Sequence, residues 1–296
     1  MSNTDDQANP ERPLRLPDWL RVKIGKRDQS AATHALLEEL GLNTVCSSAR
    51  CPNRGECYSC STATFLILGN HCTRDCRFCA VPHGDPEPPA ADEPERVALA
   101  AERLGLRYVV LTSVTRDDLP DGGARHFAAC IGAIRERLPE AAVEVLTPDF
   151  QGDVAALDIV LQAGPTVFNH NVETVPRLQA AVRSRADWDT SLGLLAAAGE
   201  RAPGIPRKSG LMVGLGEADA EVRETLAALH HAGVSIVTIG QYLRPTTRHL
   251  PVQRYVTPER MQEYEQWGRD LGLRYVASSP FVRSSYHAAE AARAVT

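Results

Sequence analysis

The chain has 296 residues, 43% hydrophobic and 23% charged, which is enough to bury one full core and ordinary for a soluble globular protein. Its net charge of −5 supplies no global basic field for nucleic acid. No apolar run approaches the roughly 18–20 residues that span a bilayer, and the polar, acidic start at Met1–Gln7 has neither a secretory nor a transit character, so a cytoplasmic protein is expected.

Residues 1–30, rich in Pro, Asp, Arg and Gln, read as a loosely ordered arm that Leu14, Leu16, Trp19 and Leu20 pin down. Residues 31–41 read as a short helix with Thr33 as cap and Gly41 as stop. A loop with Pro52, Asn53 and Gly55 follows, carrying Cys46, Cys51 and Cys57 in C-x4-C-x5-C spacing. From residue 62, β-rich runs alternate with helical stretches. Strands are expected at Ala63–Leu68, Tyr108–Thr112, Val143–Leu146, Val167–Asn169, Gly210–Val213 and Ser235–Ile239. Helices are expected at Glu93–Leu104, Ala124–Leu138, Val175–Ala181, Trp188–Ala198 and Ala220–Ala232. Tyr275–Val282 is a further strand candidate leading into Arg283-Ser284-Ser285-Tyr286. Repeated β-then-α order implies a parallel sheet with right-handed crossovers. The expected architecture is α/β, a partial (β/α)6 TIM-type barrel at 62–282. An extension at 31–61 precedes it and a C-terminal segment at 283–296 follows.

Seven of the eight cysteines lie between Cys46 and Cys79. In a reducing compartment such clustering argues for metal or redox chemistry over disulfides. Cys72, Cys76 and Cys79 form C-x3-C-x2-C in the loop after the first strand, on the face where barrels place their chemistry. Three thiolates hold three corners of a cubane iron–sulfur cluster and leave one iron open. The competing reading is zinc, with His71 or His83 as fourth ligand, although paired C-x2-C spacing is absent. Cys130 lies in an apolar helical stretch and reads as core. His170, at a strand end, reads as a satisfied core histidine. Asp117 and Asp118 suit a helix cap, and Lys208 reads as a site residue or a solvated strand start.

With Phe78 beside Cys79, this loop in a barrel of this kind resembles the radical S-adenosylmethionine (SAM) superfamily. The longer motifs resemble its lipoyl synthase family: R-C-P-N-R-G-E-C, T-A-T-F-L-I-L-G, C-T-R-D-C-R-F-C, T-S-V-T-R-D-D-L-P-D-G-G-A at 112–124, V-F-N-H-N-V-E-T-V at 167–175, K-S-G-L-M-V-G-L-G-E at 208–217, T-I-G-Q-Y-L-R-P-T at 238–246 and V-R-S-S-Y-H-A at 282–288. The likeness covers about residues 14–288. Tyr58 departs from the usual Trp, Leu66 from the common Met, and Cys60 is an extra thiol that reads as a buried small residue.

The resemblance implies a sulfurtransferase with two 4Fe-4S clusters. Cys72, Cys76 and Cys79 would hold the cluster that cleaves SAM to 5′-deoxyadenosyl radical and methionine. Cys46, Cys51 and Cys57, with Ser284 and Ser285 as the fallback, would hold an auxiliary cluster that donates sulfur. The implied substrate is an octanoyl-lysine on a lipoyl carrier domain (2-oxoacid dehydrogenase E2 or glycine cleavage H protein). Two SAM would be used and sulfur inserted at C6 and C8, the last step of protein lipoylation. Phe78, Ser113, Arg116, Asn171, Glu173, Glu217 and Gln241 are the implied SAM contacts, with Tyr242 on the same face. Reduced ferredoxin or flavodoxin and an iron–sulfur carrier protein are implied partners; membrane and nucleic acid are not. Arg177, Arg183 and Arg185 are candidates to meet an acidic carrier. Two rivals were weighed: a radical SAM sulfurtransferase acting on a free vitamin precursor or a tRNA base, and a non-catalytic zinc-stabilised binding module.

Overall fold

The computed structural model describes residues 14–21, 27–59 and 63–295, with side chains left undescribed at 27–30 and 59. Residues 1–13 of the arm and Cys60 lie outside the described residues. Of the expected pins, Leu20 is buried in a short 3-10 turn, whereas Leu14 and Leu16 are exposed. Helix α1 (Arg27–Glu39) is followed by a two-residue strand β1 (Asn43–Thr44), then α2 (Val45–Ser48) and α3 (Arg54–Ser59). The expected helix therefore begins earlier. Thr33 does not cap it but sits within it, where its hydroxyl donates to Tyr58 O (2.9 Å). Gly41 turns the chain at φ +59°, as a helix stop requires.

The repeating part runs β2 (Thr64–Ile67), α4 (Glu93–Arg103), β3 (Tyr108–Ser113), α5 (Ala124–Arg137), β4 (Ala142–Leu146), α6 (Val154–Gln162), β5 (Val167–Asn169), α7 (Gln179–Val182), α8 (Trp188–Arg201), β6 (Arg207–Val213), α9 (Asp219–His231), β7 (Ile236–Gln241), α10 (Pro258–Asp270), β8 (Tyr275–Ser279) and α11 (Ala288–Arg293). The sheet order is β1 through β8 in sequence. β1 pairs antiparallel to β2, and each later neighbour pair is parallel. Six strands, β2–β7, each lead into a helix, which matches the expected six units; β8 is a seventh parallel strand. Because β1 and β8 are the two edges, the barrel is open.

Every residue of β2 and of β7 is buried, as parallel strands covered on both faces demand. Two helices absent from the sequence expectation, α6 and α10, have clear starts. Asp153 accepts from the Ala155 N–H, and Thr257 accepts from the Arg260 N–H ahead of Pro258. The expected helix at Val175–Ala181 is instead a 3-10 turn (Pro176–Leu178) that starts on Pro176, followed by α7. No helix among the described residues is long and apolar enough to cross a membrane.

The lumen is polar in one place. Lys208 and Glu144 are both 0% exposed. Lys208 Nζ lies 2.8 Å from Glu144 Oε1, Asn169 Nδ2 donates to the same oxygen (3.2 Å), and Tyr108 donates to Oε2 (2.7 Å). Lys208 is thus no solvated strand start but a buried partner. Below it, Ala291, Ala292 and Val295 pack against Val167, Ile236, Tyr108 and Tyr275, so the end of the chain closes the bottom of the barrel. Lys208→Ala leaves Glu144 buried without its cation. We expect a stability loss of about 3–5 kcal/mol, read by urea denaturation.

Candidate active site

β2 leaves the sheet through two left-handed residues, Leu68 (φ 68°) and Gly69 (φ 97°), and the loop with Cys72, Cys76 and Cys79 follows. Arg74, inside that loop, is buried between two carboxylates. Its Nε and Nη2 donate to Asp117 (2.8 Å each), and its Nη1 and Nη2 donate to Asp149 (2.6 and 2.7 Å). The loop is therefore clamped to the ends of β3 and β4 together. Burial pushes the Asp149 carboxyl up, but the bonds and charge of Arg74 outweigh it and hold it at about 2. Cys72 Sγ accepts from the N–H groups of Arg74 (3.4 Å) and Thr115 (3.3 Å). His249 Nε2 donates to Cys79 O (2.9 Å). Arg74 and Asp149 were missing from the sequence expectation, because Arg74 is buried while Asp75 beside it is exposed, a difference that local sequence does not show.

Burial raises the Cys76 thiol and pushes the Cys79 thiol up to about 12, and neighbouring thiols and Glu173 raise both further. Such crowded thiols are poor acids until a cation enters, and coordination deprotonates them outright. Among the described residues no three Cys, His, Asp or Glu side chains converge as one ion's shell would require. A cube asks for something else, since its three cysteines bind three separate irons. His71, a suggested zinc ligand, is exposed and lies against Asn70 (2.7 Å).

The implied SAM contacts divide into two groups. Both Glu217 oxygens accept from its own turn, at the N–H groups of Gly214 (2.7 Å) and Leu215 (2.9 Å). Gln241 donates to the carbonyls of Tyr242 and Arg254 and accepts from the Val256 N–H. Arg116 donates to Asp118 and to Leu68 O. These three are committed to shaping the walls. Asp117 and Asp118 do so too, as partners of arginines rather than as helix caps. In contrast, Ser113 Oγ and Asn171 Oδ1 are buried without a partner. Glu173 is half-buried in a left-handed conformation (φ 66°), and burial raises its carboxyl against the opposing charge of Arg183. A non-glycine residue held there marks a strained site. Phe78 packs with Val182, Leu215 and Tyr242. His170 is buried, with Nδ1 2.9 Å from Thr147 O and Nε2 3.1 Å from Ser191 Oγ, and burial lowers it to about 4. It is the core histidine expected. Cys130 is likewise fully buried in α5.

The first triad lies on α2, α3 and the turn between them. The Cys51 N–H donates to Cys46 O (3.1 Å) and the Cys57 N–H to Asn53 O (2.9 Å). Three contacts join this region to the C-terminal segment. Asn53 Nδ2 donates to Phe281 O (2.7 Å), Tyr286 donates to Glu56 (3.2 Å), and Thr64 donates to Ser285 Oγ (2.8 Å). Burial raises the Cys46 thiol, opposed by hydrogen bonds from Thr64, so Thr64 stands between Cys46 and Ser285. Ser284 faces elsewhere and accepts from Asn171 Nδ2 (2.6 Å). Of the two serines, Ser285, the fallback, is the one that shares Thr64 with Cys46. Of the three arginines suggested to meet an acidic carrier, Arg177 and Arg185 are exposed and Arg183 is buried. Arg177 pairs with Glu221, Arg183 is buried on the carbonyls of Asn171 and Val172, and Arg185 donates to Thr73 O.

Comparison with known proteins agrees with this geometry. The Radical SAM superfamily pattern matches residues 66–229. A lipoyl synthase of Oleidesulfovibrio alaskensis is 57% identical over 95% of this chain and 96% of its own length. One from Methylococcus capsulatus is 54% identical over 97% and 90%. Among solved structures, methylornithine synthase aligns with TM-score 0.54 at 14% identity over 88% of this chain and 85% of that one. HydG, a maturase of [FeFe]-hydrogenase, aligns with TM-score 0.58 at 15% identity over 77% and 54%; both likenesses concern fold alone. The chain belongs to the lipoyl synthase family of the radical SAM superfamily.

Proposed function

We propose that this enzyme inserts two sulfur atoms, at C6 and C8, into an octanoyl group carried on a lysine of a lipoyl carrier domain. The observation that carries the reading is the C-terminal segment 281–286. It bonds the first triad's turn through Asn53, the start of β2 through Thr64 and the loop after β5 through Asn171. This bridging supports a reading in which both triads serve one chamber.

The residues fit the groups the family uses. Cys72, Cys76 and Cys79 would hold one 4Fe-4S cluster with an iron left for SAM. Cys46, Cys51, Cys57 and, by its position, Ser285 would hold the second. A hydroxyl beside three soft thiolates is a poorly matched ligand, suited to a cluster that must open. When bound, the first cluster with two successive SAM molecules supplies a radical able to break unactivated C–H bonds, and the second supplies sulfur. The chain's own work is positioning. Ser113 Oγ and Asn171 Oδ1 are the buried polar atoms left for the hydroxyl and amino groups of SAM, with Glu173 beside them. Phe78 offers an aromatic face for the adenine. Arg116, Glu217 and Gln241 hold the loops that form the walls. No side-chain base is needed, because the substrate C–H has almost no acidity. The organisation implied is an auxiliary-cluster extension at 31–61, a barrel at 62–282 and a ligand-bearing end at 283–296. A low-potential reductant such as ferredoxin or flavodoxin, and a carrier that restores the consumed cluster, complete the cycle.

The deciding experiment is anaerobic turnover of the reconstituted protein with SAM, reductant and an octanoyl-lysine peptide, read by mass spectrometry. Cys46→Ala should still release 5′-deoxyadenosine yet add no sulfur, whereas Cys76→Ala should do neither. Lipoyl product from Cys46→Ala would remove the donor role of the first triad. Arg74→Lys replaces a four-bond fork by one ammonium. It should lower 5′-deoxyadenosine formation by on the order of tenfold to a hundredfold while the fold persists by circular dichroism. An unchanged rate would show the clamp to be dispensable.

A further inference from the structure

Adjacent serines in extended or turning chain face different surroundings, and Ser284 and Ser285 do so with consequence. Ser285 meets Thr64 beside Cys46. Ser284 meets Asn171. Asn171 has two amide protons. One goes to Glu173 Oε1 (3.1 Å) and the other to Ser284 Oγ (2.6 Å). A carboxylate only accepts, so the amide nitrogen must face Glu173 and the amide oxygen must face away. That oxygen is buried and has no partner in the protein.

The space around it is kept open by Gly210. A Cβ there would stand 2.7 Å from Thr238 Oγ1, 2.9 Å from Asn171 Oδ1 and 3.3 Å from Ser284 Oγ. Oxygens from β7, the loop after β5 and the C-terminal segment thus crowd Gly210 on β6 too closely for any side chain there. If Ser284 left, Asn171 would keep a single bond, to Glu173, and its carboxamide would be free to rotate about it.

We infer that Ser284 is a positioning residue for Asn171, and that the seating of the C-terminal segment and the binding of SAM favour one another through this amide. Ser285 serves the first triad; Ser284 serves the SAM side. The inference rests on the reading above that Asn171 faces SAM. By linkage the effect runs both ways: SAM holds the segment in place as much as the segment holds Asn171.

The test uses protein loaded with both clusters. Two quantities are measured for each variant, the SAM dissociation constant by ultrafiltration and the iron content per chain. Ser284→Ala should weaken SAM binding by roughly five- to tenfold, the loss of one net hydrogen bond, with iron content as in the wild type. Ser285→Ala should lower iron content and leave SAM affinity within about twofold of the wild type. In the wild type, SAM should slow amide hydrogen exchange across 282–287, a readout that needs no variant to fold. Wild-type SAM affinity in Ser284→Ala, or exchange indifferent to SAM, overturns the coupling. Loss of iron from Ser284→Ala overturns the division between the serines by making Ser284 the ligand. Asn171→Ala separates the two levels. If it weakens SAM and Ser284→Ala does not, the coupling alone fails; if it leaves SAM affinity unchanged, the placing of SAM against Asn171 fails and the inference with it.

Discussion

A parallel sheet that does not close into a ring must cover its inner face and its edges by other means, because unpaired strand edges and a hollow polar lumen are both costly. Here β1 covers one edge with two residues, and the chain beyond β8 does the rest. Pro280, which has no N–H for a ladder, follows the last strand. The segment then passes Gly240, where Val282 O would stand 2.2 Å from an added Cβ, then Gly210, then Thr64, and ends beneath the strands as α11. The candidate chamber lies along this descent, where Ser284 meets Asn171 and Ser285 meets Thr64.

Within that chamber the polar groups divide by whether the protein itself satisfies them. Arg74, Arg116, Glu217 and Gln241 have several partners each and act as struts. Ser113 and Asn171 keep one buried atom apiece without a partner in the protein, which makes them candidates for the polar atoms of a bound group. Burial likewise raises the Cys76 and Cys79 thiols. Rigid struts around incomplete atoms are the physical form of preorganisation.

How much of this the sequence disclosed depends on range. Strands β2, β3 and β7 were legible because their apolar residues run nearly unbroken, whereas Glu144 interrupts β4 and Arg207, Lys208 and Ser209 give β6 a polar start. The triads were legible because their spacing is local. Helix α10 escaped because it is heavily charged, with only Met261, Tyr264 and Gly268 buried, so its apolar period is faint. Helix α6 escaped because an almost wholly apolar nine-residue stretch has no period to read. The difference in surroundings between Ser284 and Ser285 could not be read from local sequence. It depends on Thr64 and Asn171, which are 221 and 113 positions away. The Arg74 clamp is of the same kind, since Asp149 lies 75 positions on.

The distance between Thr64 and Ser285 also orders events in time. Residues 281–286 leave the ribosome after every strand of the sheet, and contacts of such high sequence separation form late. The bonds that Asn53, Thr64 and Asn171 make to this segment are therefore completed only after all eight strands have been made, so the two ends of the fold are tied together last.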